Sequence, residues 1–500
     1  MKDRLRKFLV RMLPKGDTLE QTVKSGAWMG AMNVLSRGLQ ILLVIILANL
    51  LDPADFGLMG IALLVLSGLR KFSKLGLNAA VIQNKEKNVD EYMNTMWVLQ
   101  LVRGAVIAVV LLAVAPLIGS VFSEPRATDV VRVVAITPLF SALRNPAIVY
   151  FKKNLNFHKE FAYRMSGSVS RFVVSLGWAL VSPTVWALIA GLVASRFAKF
   201  VFSYYAHDYR PWPSFELDRA KELIDYGKWI TSNTILYFLY TEGDDVVVGW
   251  LLTSTALGFY QTAYRMSNAP ATEISQVISS VTFPAFSTLQ DDIAAMREAY
   301  YRTLQMTAFL TFPAAFGIAA IAPTFVETFM GEQWLPMVTA MQILTAYGLM
   351  RAVGKTMGPV WKAVGRPDYL TKLALLRVGL IALLIIPVTN RFGIEGTALL
   401  ITGIYIFPIL PIDTYIIVKT IQGSYKRFVK QLFYPLVCSG GMFVAVVWLD
   451  QQLPLEAGVL EFATLVTTGA IVYMALVALF ATRFEWAIEE NLRSMFSSLS

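Results

Sequence analysis

One apolar stretch follows another along this 500-residue chain, and that succession limits what it can fold into. Ile41 to Leu51, Val106 to Leu117, Val173 to Val181 and Ile381 to Val388 each lie inside longer, largely apolar segments of roughly 20 residues or more. A helix rising ~1.5 Å per residue needs that length to cross ~30 Å of hydrocarbon. Strands of a membrane barrel would instead read as ~10 residues of in–out alternation. Composition agrees: 56% of residues are hydrophobic and 16% charged, against roughly 25% charged in a soluble domain. The expected fold is therefore an all-α integral membrane protein of about 14 transmembrane helices.

Hydropathy places the spans near 23–51, 57–82, 93–118, 128–151, 163–182, 184–206, 222–252, 256–284, 298–322, 334–361, 369–389, 393–418, 430–449 and 457–481. Basic residues gather on alternate connections. One side holds the N-terminal lysines and arginines, Lys85, Lys87, Lys152, Lys153, Lys159, Arg210, Arg219, Lys221, Arg297, Lys362, Arg366, Lys419, Lys426, Arg427 and Lys430. The other side holds little beyond Arg126 and Arg391. Positive residues stay cytoplasmic, which predicts both termini inside. The segment Met1–Lys15 has no apolar core of the length a cleaved signal peptide needs, and Leu5, Phe8, Leu9, Met12 and Leu13 predict an amphipathic helix over residues 1–20, lying on an anionic leaflet. The tail, 483–500, repeats this more weakly. The net charge of +10 thus reports topology and lipid contact. It is spread over many short loops and gives little reason to expect nucleic acid as a partner.

The chain also resembles itself at an offset of 201 residues. Gly26-Ala27-Trp28 matches Gly227-Lys228-Trp229, Leu50-Leu51 matches Leu251-Leu252, and Gly57 and Ala62 match Gly258 and Ala263. The expected organisation is an N-lobe of six helices (21–221), a C-lobe of six (222–420) and two extra helices (421–482). An even number of helices separates the repeats, so they run parallel. Such halves enclose a central site.

Ionisable groups inside a membrane cost at least ~2.5–3.5 kcal/mol each on insertion scales, so they mark function. Arg37, Arg70, Arg103, Arg144, Arg265 and Arg351 lie deep in the expected spans and are the candidate substrate-binding residues. Arginine stays charged and offers a planar fork of donors suited to phosphate and carboxylate. Glu242, Asp244, Asp245 and Glu273 form a smaller acidic set, candidates for H+ or Na+ coupling. Lys71, Lys74, Arg196, Lys199, Lys355 and Arg377 lie nearer span ends, where snorkelling accounts for them. Tyr237 and Tyr240 beside these carboxylates suit a sugar or cation path, or equally helix packing. Enzyme chemistry is poorly supplied. His158 and His207 are the only histidines, Cys438 the only cysteine, and no P-loop, zinc-ligand spacing or nucleophile elbow occurs. Asp291-Asp292 is expected to be a solvated helix start. No cofactor or metal is expected.

The string Ile46-Leu47-Ala48-Asn49-Leu50-Leu51-Asp52-Pro53-Ala54-Asp55-Phe56-Gly57 resembles the first outer turn of polysaccharide exporters. So do Gly76 to Gln83, Asp245-Val246-Val247-Val248-Gly249, Leu257 to Arg265, Val281 to Ser287, Gly331-Glu332-Gln333-Trp334 and Gly365-Arg366-Pro367. In order and spacing these resemble the Wzx/WzxC-type oligosaccharide flippases of the multidrug/oligosaccharidyl-lipid/polysaccharide exporter superfamily, over about residues 20–450. The resemblance implies a two-lobed bundle alternating between inward- and outward-facing states. Its cargo would be an oligosaccharide on polyprenyl pyrophosphate, flipped outward across the cytoplasmic membrane of a prokaryote. The first, second, seventh and eighth spans would line the cavity, bringing in Arg37, Arg70, Glu242, Asp244, Asp245, Arg265 and Glu273. Implied partners are the lipid-linked oligosaccharide, membrane lipids and the polysaccharide polymerase or export machinery, with the chain acting as a monomer. Two other readings are a cation-coupled multidrug exporter of the same superfamily and a membrane glycosyltransferase or polymerase. The first would favour an acidic, aromatic cavity. The second would need a large loop domain, and no connection is long enough to supply one.

Overall fold

The computed structural model describes residues 35–73, 90–153, 156–216, 235–452 and 458–483. The terminal amphipathic segments, Lys74, Lys85, Lys87 and the Gly26 and Gly227 ends of the repeat lie outside these residues, as does the Gly76–Gln83 motif. Among the described residues the chain is helical and holds no strand. It divides into two compact units, residues 1–238 with 253–255, and residues 239–252 with 256–500.

The first unit opens with α1 (Leu35–Leu50) and α2 (Pro53–Phe72). Pro53 begins α2 where its missing N–H costs nothing, because the first turn leaves its donors unpaired in any case. A Cβ built on Gly57 would lie 1.7 Å from the Ser254 carbonyl oxygen, so only glycine fits at this turn. α3 (Asp90–Val121) exposes Val102, Val106, Val109 and Leu112, a stripe at helical spacing that suits lipid and would be a liability in water. Glu124, beyond its end, accepts bonds from Arg126 Nε (3.1 Å) and Ser254 Oγ (2.9 Å). Burial works against its charge, but these bonds prevail and hold the carboxyl below the ordinary glutamate range.

The stretch expected as one span over 128–151 differs in detail. It is a succession of short pieces: α4 (Arg126–Val134), α5 (Ile136–Ala142), a 3-10 turn (Pro146–Ile148) and α6 (Val149–Lys153). Pro138 explains the first break. It has no N–H for the Val134 carbonyl, and its ring crowds that group. α7 (Phe157–Val181) and α8 (Val185–Tyr205) then form a tight pair. Small residues allow the approach: a Cβ on Gly191 would sit 1.8 Å from Ser175 Oγ.

The second unit is built from α9 (235–251, whose residues from 239 onward belong here), α10 (Ser254–Thr288), α11 (Ile293–Met330), α12 (Val338–Lys355) and α13 (Met357–Ala363). Asp292 caps α11, its side chain accepting from Ala295 N at 2.9 Å, which makes it the expected helix start. α14 (Asp368–Ile404) is two helices meeting at Gly393, with φ 61° and ψ −147°. The chain reverses there. Arg377 lies 4.5 Å from the Tyr405 ring, whereas 28 residues of straight helix would part them by about 42 Å. A π-helical turn (Tyr405–Ile409) leads into α15 (Leu410–Thr420), followed by α16 (Tyr425–Gln452) and α17 (Val459–Arg483).

Two apolar cores hold this unit. One gathers Phe286, Tyr300, Tyr301, Trp361 and Ile417. The other packs α11, α16 and α17 around Cys438, which is buried as a small residue should be. Seven described segments are long and apolar enough to cross a membrane, and Asp368–Thr420, reversed at Gly393, is long enough to cross twice. The protein is a multi-pass membrane protein.

Candidate functional site

Two groups of charged side chains stand out, one in each unit. In the first, Arg70 occupies the last turn of α2 and reaches Thr137 Oγ1 at 3.4 Å. Arg103 on α3 donates to Ser73 Oγ (3.2 Å) and to the Arg70 carbonyl (2.7 Å). Arg144 lies not inside a helix but in the bend after α5, where it donates to the Ser141 carbonyl and the Tyr163 hydroxyl, both at 2.8 Å. These three sequence-selected arginines therefore meet. Arg196 of α8 joins them, since its charge bears on Arg70, and Lys199 of the same helix lies within reach of Arg196 and Arg144. Arg37 is exposed on α1, where it donates to Gln40 Oε1 at 3.2 Å.

The second unit carries a mixed cluster. Asp244, buried on α9, accepts from the Tyr260 hydroxyl at 2.7 Å. Asp245 and Glu242 are half-buried, and their charges act on Arg265, which is exposed on α10. Arg351 on α12 donates to the Tyr264 hydroxyl at 2.7 Å and to Thr272 Oγ1. Glu273 is half-buried and acts on Lys355.

At the centre stands Arg377, and here the sequence reading needs correction. Snorkelling would leave its head in water, yet it is 2% exposed. Its guanidinium donates to the hydroxyls of Tyr240 and Tyr347, each at 2.6 Å. It also lies 4.3, 5.1 and 4.5 Å from the ring centres of Tyr240, Tyr347 and Tyr405. Aromatic faces carry negative potential, so three rings and two hydroxyls stand in for the water that the charge gave up. Arg351 shares the Tyr347 ring at 5.6 Å. Asp413 of α15 lies within electrostatic reach, buried, with Oδ1 unpartnered. A cavity of about 10 Å³, the size of one water, is bounded by Tyr240, Asp244, Tyr264, Tyr347 and Arg377.

Sequence reasoning missed Arg377, Tyr347, Tyr405 and Asp413 as members of one group. Tyr240 was the one signal pointing there. The arrangement of the second unit balances charge internally with carboxylates, phenols and guanidinium groups. Among the described residues the first unit's group is cationic.

Against known proteins, the profile of the family described as "Polysaccharide biosynthesis protein" matches residues 46–339. The chain is 26% identical over 423 residues to the lipopolysaccharide biosynthesis protein WzxC of Escherichia coli (strain K12), covering 84% of this chain and 86% of that one. It is 24% identical over 340 residues to the succinoglycan biosynthesis transport protein ExoT of Rhizobium meliloti (strain 1021), covering 68% and 69%. The fold is similar to that of the lipid II flippase MurJ in an inward closed conformation. There the TM-score is 0.71 at 13% identity, over 91% of this chain and 99% of that one. With the family profile spanning more than half of its length, the chain belongs to the polysaccharide biosynthesis protein family.

Proposed function

We propose that the protein is a flippase for a lipid-linked oligosaccharide, carrying a polyprenyl-pyrophosphate glycan outward for surface polysaccharide synthesis. What carries the reading is the family match taken together with the basic residues. The relatives named for lipopolysaccharide and succinoglycan synthesis align with most of the chain, and the first unit holds an excess of cations suited to a phosphate-bearing cargo. Arg37 and Arg265 are the exposed arginines of the set and would meet the cargo first. The protein acts without chemistry of its own, by alternating access, in the cytoplasmic membrane with both termini inside. Glu242, Asp244, Asp245 and Glu273 are the groups through which H+ or Na+ would drive the cycle. A polysaccharide polymerase or other export machinery would take the product.

A deletion strain provides the test. A lipid-linked oligosaccharide should accumulate on the cytoplasmic leaflet, with surface glycan restored by the parent chain and not by Arg37→Ala/Arg265→Ala. Undiminished surface glycan in the deletion strain would overturn the proposal.

A further inference from the structure

Beyond α8 the chain is tied along the first unit. Asn94 Oδ1 on α3 accepts from the Tyr209 hydroxyl (2.8 Å) and from the Trp212 N–H (2.9 Å), and Thr95 Oγ1 accepts from the Glu216 N–H at 3.3 Å. Asn145 Nδ2 donates to the Tyr209 carbonyl at 2.6 Å, and the His207 ring stacks on Tyr150. Pro211 and Pro213 fix their own φ and favour extended backbone in the residue before each, so residues 206–216 form a strap with little freedom left. Yet this strap turns its largest apolar side chains outward: Trp212 is 73% exposed and Phe215 50%. Held rings of that size, bare to water, call for something to cover them.

The anchors of the strap fix its level. Asn94 and Thr95 stand at the start of the span Met93–Val121, and Tyr205, just before the strap, ends the span Val185–Tyr205. One span begins where the other stops, so the strap runs along a membrane boundary. Phe197, Val201 and Tyr205 are exposed at four-residue spacing on α8, a lipid-facing stripe that leads into the strap. We propose that residues 206–216 are an interfacial anchor, with Trp212 and Phe215 seated in the phospholipid headgroup layer. A tryptophan ring suits that layer, because its body is apolar and its N–H finds a partner there. Asp208, Arg210 and Glu216 are exposed beside the rings. That mixture of charge and aromatic surface fits the headgroup layer and would be costly in the dry centre of a protein interface.

The test uses the full chain in phosphatidylcholine vesicles. Cys438→Ala removes the native thiol, and Trp212→Cys or Phe215→Cys then carries a fluorescent label at the position of one ring. Phosphatidylcholine with a nitroxide on its headgroup should quench both labels more than the same lipid with a nitroxide deep in its acyl chain. Aqueous iodide should quench them less than it quenches the free dye. Full access to iodide without quenching by lipid would put the rings in water and overturn the proposal. Stronger quenching by the deep nitroxide would overturn it too. So would shielding from all three quenchers, which would assign the surface to a second copy or another protein. Anchoring itself is read in the unlabelled chain: Trp212→Ser/Phe215→Ser should speed amide exchange through residues 206–216, and Trp212→Tyr should not. Exchange in the double variant equal to the parent's would show that the rings do not hold the strap, and the anchor would fall. The readouts are depth and exchange, not export, so their failure leaves the flippase reading standing.

Discussion

At the scale of single residues, the buried guanidinium of Arg377 explains why the second unit can hold a charge in its interior. Two phenolic hydroxyls at 2.6 Å and three ring faces share the charge. Lysine in its place would keep the charge and lose the geometry, since an ammonium is compact, strongly hydrated and cannot lie flat against the rings or span both hydroxyls with a rigid fork. Arg377→Lys should therefore weaken the ring contacts and the paired hydroxyl bonds and destabilise the protein by about 1–3 kcal/mol. The check is thermal unfolding in detergent against the parent, and an unchanged midpoint would show that the cage does not hold the charge in the way described. Little of this was visible in the sequence, where Tyr240 beside the carboxylates was the one signal. Arg377 lies 9 residues after the first residue of α14 at Asp368, a place where a long side chain normally reaches water. Its tyrosines come from positions 240, 347 and 405, and no local pattern links them. Arg70 and Arg103 were easier to find, because each sits in a long apolar stretch where any charge stands out.

At the scale of elements, periodicity and length foretold helices, and turn chemistry decided where they break. The kink at 134–136 follows from Pro138, yet hydropathy alone merged α4, α5 and their neighbours into one span, because an apolar window does not see a missing N–H. Gly393 is the more consequential joint. Its φ of 61° with ψ of −147° falls in a region that side-chain-bearing residues avoid at a cost of about 1–3 kcal/mol. The joint also brings the Thr389 and Thr397 hydroxyls to 2.8 Å from each other. Gly393→Ala should cost that same 1–3 kcal/mol. It should also loosen the hairpin that presents Tyr405 to Arg377, read as faster amide exchange through residues 389–405. Exchange equal to the parent's would mean that the bend does not depend on glycine.

At the scale of the whole molecule, the two units differ in their electrostatics. Among the described residues the first gathers cations, while the second sets carboxylates beside guanidinium and phenol groups. The repeat offset of 201 residues pointed to a duplicated scaffold, but charge is set by a few positions that a repeat need not preserve: Arg37 aligns with Phe238, and Arg265 with Leu64. The same charges predict an orientation. Lysine and arginine cross a membrane poorly during insertion, so connections rich in them remain inside. Arg126, at the turn between α3 and α4, and Arg391, beside the Gly393 bend, should then face outward, with Arg210 and Lys419 inward. Reporters active only outside the cytoplasm, fused after Arg126 and after Arg391, should both be active, and those fused after Arg210 and Lys419 silent. Activity after Arg210 combined with silence after Arg126 would invert the molecule. The direction in which the proposed cargo is carried would invert with it, because inward- and outward-facing ends are defined by this placement alone.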